Sequence, residues 1–360
     1  MRALQGERGD RFPVWFMRQA GRSLPEYREL RSQGSMLETC LDPELATEIT
    51  LQPVRRHDVD AAIFFSDIVV PLKLAGVEVE IAPGRGPVFA RPARSAADVA
   101  RLREEHPVER LREGMRPIRE AVGRIVAELG PRPLLGFAGA PFTLAAYLVE
   151  GAPSRDHLRA RALMHTDPEA WHALLEWVAE LSGEFLSAQV RAGASGVQLF
   201  DSWAGSLGAA DYRAHAAPSS ASALASVREL RYRPAATAGA AAGPGDEAAR
   251  RVPVIHFGVG SAHLLEEFAA LDPDALGIDW RTPLDEASRR LGDRLPLQGN
   301  VDPAVLFAPE AALERHLDEV LDRGRRAPAH IVNLGHGVPP ETDPATLTRL
   351  VELIHARDAR

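Results

Sequence analysis

The chain has 360 residues, of which 45% are hydrophobic and 26% charged, with a formal net charge of −8. This is globular composition with length enough for one large domain, and the acidic balance argues against a general nucleic-acid binder. The single Cys40 excludes an intrachain disulfide and any multi-cysteine metal site, and with no long apolar stretch and no apolar N-terminal h-region we expect a cytoplasmic protein without membrane insertion.

Short apolar runs predict strands at Val14–Phe16, Ala61–Phe65, Leu134–Phe137, Gly196–Phe200, Pro253–Phe257, Leu276–Ile278, Leu295–Gln298 and His330–Asn333. Helical patterns lie between them. Leu111, Met115, Ile118, Val122, Ile125 and Leu129 share one helix face, with Pro117 expected to kink that helix or to begin a new one. Trp171, Leu174, Leu175, Val178, Leu181, Phe185 and Leu186 form a second face. Asp42-Pro43, Asp167-Pro168, Asp272-Pro273, Asp302-Pro303 and Asp343-Pro344 are expected helix starts, each a capping carboxylate before a proline at the first helical position. The alternation implies parallel strands, and eight units favour a single (β/α)8 TIM barrel spanning residues 1–360. A doubly wound sheet is the weaker reading, because no Gly-rich dinucleotide fingerprint follows an early strand. Pro234 to Arg251, PAATAGAAAGPGDEAARR, has few large apolar residues and is expected to be a mobile surface loop within the barrel.

In a barrel of this type the active site is built by the loops that follow the strands. Polar residues collect there: Arg18, Gln19 and Arg22 after the first strand, Ser66 and Asp67 after the second, Thr143 and then Tyr147 after the third, Asp201-Ser202-Trp203 after the fourth. His256, Asp279, Asn300 and the Gly335-His336-Gly337 run mark the later ones. Asp67 is the only charge in Ala61 to Leu72, AAIFFSDIVVPL. It reads either as a helix cap or paired core carboxylate, or as a buried functional acid whose desolvation must be met by donors. Arg18 and Arg22 read either as surface arginines at i and i+4 or as ligand grips. Gly21 favours a loop, Glu26 is the nearest acid, and Arg28 and Arg31 follow. Four guanidiniums so close together suit a polyanion, since each grips a carboxylate with two parallel bonds. His336 between glycines is either a loop histidine facing water or a side chain presented to a ligand. Tyr147 could be core and Ser202 a helix cap. Ser202 lies in no GxSxG elbow, so Ser-His-Asp hydrolysis fits poorly. A retaining glycosidase would need a second carboxylate, for which Asp201 is the candidate, but it would leave the arginines unexplained.

PVWFMRQAGRSLPEYRELR closely resembles the N-terminal signature of the uroporphyrinogen decarboxylase family, and GFAGAPFTLAAYLVEG its second signature. FFSDIVVP, FDSWAG, PVIHFG, QGNVDP and NLGHGV match in order, so the resemblance runs from about Pro13 to Pro344. It implies a single (β/α)8 barrel, a homodimer, and cofactor-independent loss of four acetate carboxyls from uroporphyrinogen III. Arg18, Gln19, Ala20, Gly21 and Arg22 would line the substrate site. Asp67 would accept the pyrrole N–H groups, and Tyr147, Ser202 and His336 would contact carboxylates or the reacting acetate. Asp67, Arg18, Tyr147 and His336 are the catalytic candidates, and no metal is expected. The chain departs from the pattern in a short segment before Arg18 and in the Ala/Gly-rich insertion. For the proton donor, His336 titrates in a suitable range, whereas Arg18 would have to act through a water or a substrate carboxyl.

Two rival classes share parts of this pattern. Zinc-dependent methyltransferases share the outline, but they need a His-x-Cys pair and a later Cys, whereas His256 is followed by Phe257 and Gly258 and Cys40 lies far upstream. A catalytically silent tetrapyrrole carrier would use the same arginine and aspartate side chains.

Overall fold

A computed structural model describes residues 1–31, 34–232 and 249–359. Seven short strands lie side by side in chain order: β1 (Ala62–Ile63), β2 (Leu134–Gly139), β3 (Gly196–Phe200), β4 (Val254–Phe257), β5 (Ala275–Gly277), β6 (Leu297–Gln298) and β7 (His330–Ile331). Every neighbouring pair is parallel, so helical segments return the chain to the same end of a curled sheet. Each of these strands overlaps a predicted run, β2 extending two residues past its run and β5 beginning one residue before its own. The polar loops that follow the strands therefore gather at one end.

Val14–Phe16, the first predicted strand, makes a single parallel bridge, Val14 to Val332, and no ladder. On one side Val332 N–H donates to the Pro13 carbonyl at 2.8 Å and Trp15 N–H to the Val332 carbonyl at 3.3 Å; on the other, Asp60 N–H donates to the Val14 carbonyl at 2.8 Å. Pro13 has no N–H to add. Beyond Trp15, side chains capture the backbone: Phe16 N–H donates to Gln19 Oε1 and Met17 N–H to Asn333 Oδ1, both at 3.0 Å. The ladder stops after one bridge, and the sheet of the described residues has seven strands where eight were expected.

The helices follow their local signals. Pro117 begins a new helix, α2 (Arg116–Leu129), after α1 (Pro43–His57) and the short helix Val108–Gly114 have ended. The next three are α3 (Pro141–Glu150), α4 (Leu158–Thr166) and α5 (Pro168–Arg191), and the face from Trp171 to Leu186 on α5 is buried as its periodicity implies. A sixth, α6 (Ala209–His215), follows β3. Asp42, Asp167 and Asp343 cap α-helices by accepting N–H groups of the first turn, and Asp302 caps a single 3-10 turn, Pro303–Phe307. Asp272-Pro273 starts no helix. Asp272 sits at φ +55°, its carboxylate accepts from Arg228 at 2.9 Å, and β5 begins at Ala275, which leaves no room for a turn.

Most of the predicted 234–251 loop, residues 234–248, lies outside the described residues. Its end does not: Arg250–Arg251 pairs antiparallel with Arg231–Tyr232. Among the described residues no helix is long and apolar enough to cross a membrane.

The sheet separates two buried clusters. The larger contains the helix faces; the smaller gathers Trp15, Met17, Ile63, Leu135, Phe137, Ile255, Phe257 and Ile331 on the opposite face. A polar chain crosses this inner region. Trp15 Nε1 donates to Gln298 Oε1 at 3.1 Å, Gln298 Nε2 to Gln198 Oε1 at 2.9 Å, and Gln198 Nε2 lies 3.6 Å from Met17 Sδ. These buried amides pair with one another, as a low-dielectric interior requires.

Candidate active site

Arg18 follows the inner segment Val14–Met17 with φ +60°, a left-handed conformation that costs a non-glycine residue about 1–3 kcal/mol. Its neighbour holds it there. Gln19 is fully buried, its Oε1 accepting from Phe16 N–H and its Nε2 donating to the Ala61 carbonyl at 3.1 Å. Gln19 is thus a brace with both ends of its amide engaged. No helix lies between Gln5 and Pro25, so Arg18 and Arg22 stand on a turn and not at i and i+4 of a helix. A Cβ at Gly21 would lie 3.0 Å from the Arg18 carbonyl oxygen, which shows how tightly that turn closes. The last loop packs on the same arginine. Val338 N–H donates to the Met17 carbonyl at 2.8 Å, and a Cβ at Gly337 would lie 2.5 Å from Arg18 Cδ. Gly337 lets the His336 loop lie directly on the arginine stem.

Asp67 stands after β1 and is half-buried. Its Oδ1 accepts from Val69 N–H at 3.0 Å, so the capping role is real but uses one oxygen. Among the described residues no side chain donates to the other oxygen, and no ion pair forms with Arg18. Burial pushes this carboxyl above its usual range, while Val69 N–H and the charge of Arg18 pull it back. Tyr147, on α3, is pushed up to about 12, chiefly by burial and then by the charge of Asp67, with Arg18 opposing. The phenol therefore stays neutral and able to donate. His336, half-buried, is held below its usual range by burial first and the Arg18 charge second, so at neutral pH it is an uncharged imidazole. Arg18, Asp67, Tyr147 and His336 thus share one electrostatic neighbourhood, reached from four separate chain segments.

The other predicted residues flank this group. Arg22 and Arg28 are exposed, with no acid within ion-pair distance among the described residues. Glu26 is taken by Arg56 through two bonds of 2.7 and 2.8 Å, so the acid nearest in sequence neutralises neither Arg18 nor Arg22. Arg31 turns to the Gly34 carbonyl and Thr39. Ala20 and Gly21 are half-buried in the turn, and Ser202 is half-buried beside Trp203.

Trp203 was missed as a site residue, although it sits in the quoted FDSWAG run. Its ring stacks on Tyr147, with centroids 3.7 Å apart, and also meets His157 at 4.2 Å. Thr143 ties these elements together, accepting from Trp203 N–H at 3.2 Å and donating to Asp201 Oδ1 at 2.9 Å. Asp201 itself is wholly buried, pushed up to about 7 by that burial, with Oδ2 3.9 Å from His256 Nε2. Its carboxylate braces the turn rather than facing the mouth. Trp280 and Arg281 were also missed. The Arg281 guanidinium lies 3.8 Å over the Trp280 ring, which meets His336 edge-on at 6.1 Å. Position after β5 was the available signal. His157 carried none, because it lies beyond α3, away from any strand end.

The family profile described as uroporphyrinogen decarboxylase (URO-D) matches residues 1–357. The uroporphyrinogen decarboxylase of Leifsonia xyli is 63% identical over 355 residues, covering 99% of this chain and 93% of that protein. That of an Arthrobacter species is 60% identical over 354 residues, covering 98% and 95%. Among solved structures, a methyltransferase from Methanosarcina mazei covers 98% of this chain and 96% of its own at TM-score 0.71 and 18% identity, a likeness of fold. The chain belongs to the uroporphyrinogen decarboxylase family.

Proposed function

We propose that the chain is a carboxy-lyase that removes four acetate carboxyls from uroporphyrinogen III, giving coproporphyrinogen III and CO2 in porphyrin synthesis. The observation that carries this reading is the unpaired state of Asp67 and Arg18. A half-buried carboxylate and an exposed guanidinium share a mouth without bonding to each other, and each has bonding capacity left for a ligand. The substrate supplies what both lack: pyrrole N–H groups for Asp67 and eight carboxylates for Arg18 and Arg22.

The chemistry follows. An alkyl carboxylate loses CO2 only if the electrons of the broken C–C bond have somewhere to go. A pyrrole protonated at its α-carbon is such a sink. The acetate C–C bond breaks, its electron pair neutralises the ring cation, and CO2 leaves. The exocyclic methylene is then protonated to a methyl and the ring returns its α-proton, so each turn consumes one proton. Asp67 stabilises the cation that forms. At 4 Å and an effective dielectric near 20 this attraction is about 4 kcal/mol, on the order of a thousandfold in rate. Tyr147 offers a neutral hydroxyl to the reacting acetate, with Ser202 beside it. His336, kept neutral by burial first and by the Arg18 charge second, suits a donor to carboxylate oxygens better than a stored proton. The incoming proton then comes by way of Arg18 and a water or a substrate carboxyl.

The same reading takes the sheet as an eight-stranded (β/α)8 barrel forming a single domain, with Val14–Phe16 as the closing strand. The hydrogen bonds of that segment to Val332 on one side and Asp60 on the other support it. A homodimer in the cytoplasm is part of the proposal, as the family resemblance implies. The test is anaerobic incubation with uroporphyrinogen III. Sequential seven-, six-, five- and four-carboxyl products are expected; tight binding without them would make the chain a silent carrier and end the proposal.

A further inference from the structure

Away from the mouth, helices α4, α5 and α6 bring together three histidines and an aspartate that the decarboxylation does not use. His165 lies in the last turn of α4, His172 in the first turns of α5, and Asp211 and His215 stand at i and i+4 on α6, which places both on one face. One ligand atom from each of His165, Asp211 and His215 lies within 4.8 Å of the others. His165 Nε2 is 3.7 Å from Asp211 Oδ2, and His215 Nδ1 is 3.3 Å from His172 Nε2. The His172 and His215 rings stack at 5.4 Å, and His165 meets His215 edge-on at 6.0 Å.

We propose that His165, Asp211 and His215 form a binding site for a borderline divalent metal ion, with Zn²⁺ as the best match and His172 supporting the His215 ring. Two imidazoles and one carboxylate are a donor set that suits zinc, and not magnesium or calcium, which prefer all-oxygen shells. Donors about 2.0–2.2 Å from one ion lie roughly 3.3 Å apart in a tetrahedron, so the present spacings need only small rotations. The His165 side chain is 55% exposed and that of Asp211 34%, so both are free to make them. The backbone beneath is fixed: Trp171 Nε1 donates to the His215 carbonyl at 3.1 Å. A ligating histidine is commonly oriented through its second nitrogen, which is the relation His172 bears to His215.

The ion would join α4 to α6. Helix α4 follows the segment that carries Tyr147, and α6 follows the Ser202–Trp203 turn, so it would tie together, from outside, the two units whose aromatic rings stack at the mouth. Its role is structural, and no step of the decarboxylation passes through it.

The test is calorimetric titration of the full chain, stripped of metal by chelator and dialysis, with a zinc salt, beside His165→Ala, His215→Ala and Asp211→Asn. One equivalent is expected in the parent and at least tenfold weaker binding in each variant. At a hundredfold excess over Kd, zinc should raise Tm by about 3–4 °C in the parent only, and magnesium should not. Decarboxylase activity of chelator-treated parent and of His165→Ala should equal that of the untreated chain. If His215→Ala proves unstable, the exposed His165→Ala decides alone. Undiminished zinc binding in His165→Ala, or no zinc binding by the parent, would overturn the site.

Discussion

Arg112, on the outer helical surface, donates to Glu109, Glu180 and Glu184, and Arg349 to Glu310, Glu314 and Glu352. Arg18, at the mouth, meets no acid within ion-pair distance among the described residues. Yet it occupies a left-handed backbone conformation, and a fully buried glutamine is spent on holding its turn. The outer arginines gain partners at no backbone cost. The inner one accepts strain and gains none among the described residues. Asp67 repeats the pattern on the acidic side, raised by burial and only half satisfied. Strain and desolvation without an internal partner mark groups whose partner comes from outside.

Removing the acidic member should show the contrast most strongly. Asp67→Asn keeps an oxygen for Val69 N–H, so the variant should fold with a Tm no lower than the parent's. Its kcat/KM should fall more than about a hundredfold, the scale of a lost electrostatic stabiliser. Arg18→Ala should follow with about a ten- to hundredfold loss in kcat/KM, felt in KM through the lost charge-assisted carboxylate contact and in kcat through the lost proton route. Steady-state assays with uroporphyrinogen III check both, and an equal loss in Arg349→Ala would break the comparison.

Buried histidines give a smaller effect with a definite sign. His57 and His330 are each lowered to about 4, by burial first. Each is neutral when folded and binds a proton when unfolded between about 4 and 6.5, so the stability they contribute is full above 6.5 and lost as pH falls toward 4. His256, lowered to about 3, has the same sign, while its neighbour Asp201, raised to about 7, has the opposite sign and offsets it. The net slope is up to about 1.4 kcal/mol per pH unit for each of the two uncompensated rings. Urea midpoints should therefore fall from pH 6.5 to 4, and His57→Gln should flatten the fall; a midpoint that rises on acidification contradicts the assignment. Least affected should be Arg112→Ala, whose exposed, solvent-screened pairs should shift Tm by less than about 1–2 °C in a thermal melt and leave activity unchanged.

What could be read from the chain was what local physics controls. Seven strand positions, the Pro117 break and four of the five Asp-Pro starts follow from apolar runs, missing donors and capping carboxylates. The failures share a cause: the deciding partner is distant in sequence. Asp272-Pro273 has the composition of a cap, but its carboxylate is taken by the remote Arg228. Val14–Phe16 has the composition of a strand, but its ladder stops where Phe16 N–H goes to Gln19 and the next N–H, that of Met17, to the remote Asn333. At the site, Asp67 and Arg18 stood out as charges in unusual surroundings. Trp203 did not, because its stack on Tyr147 exists only once Thr143 joins α3 to the turn after β3.

The central claim is that Asp67 acts on a charge that develops during the reaction, beyond any help it gives to binding. Anaerobic single-turnover rates and substrate affinity, measured together on Asp67→Asn, test it most directly. The account predicts a chemical step slowed at least about a hundredfold with affinity reduced far less. Loss of affinity with an unchanged rate for bound substrate would contradict it.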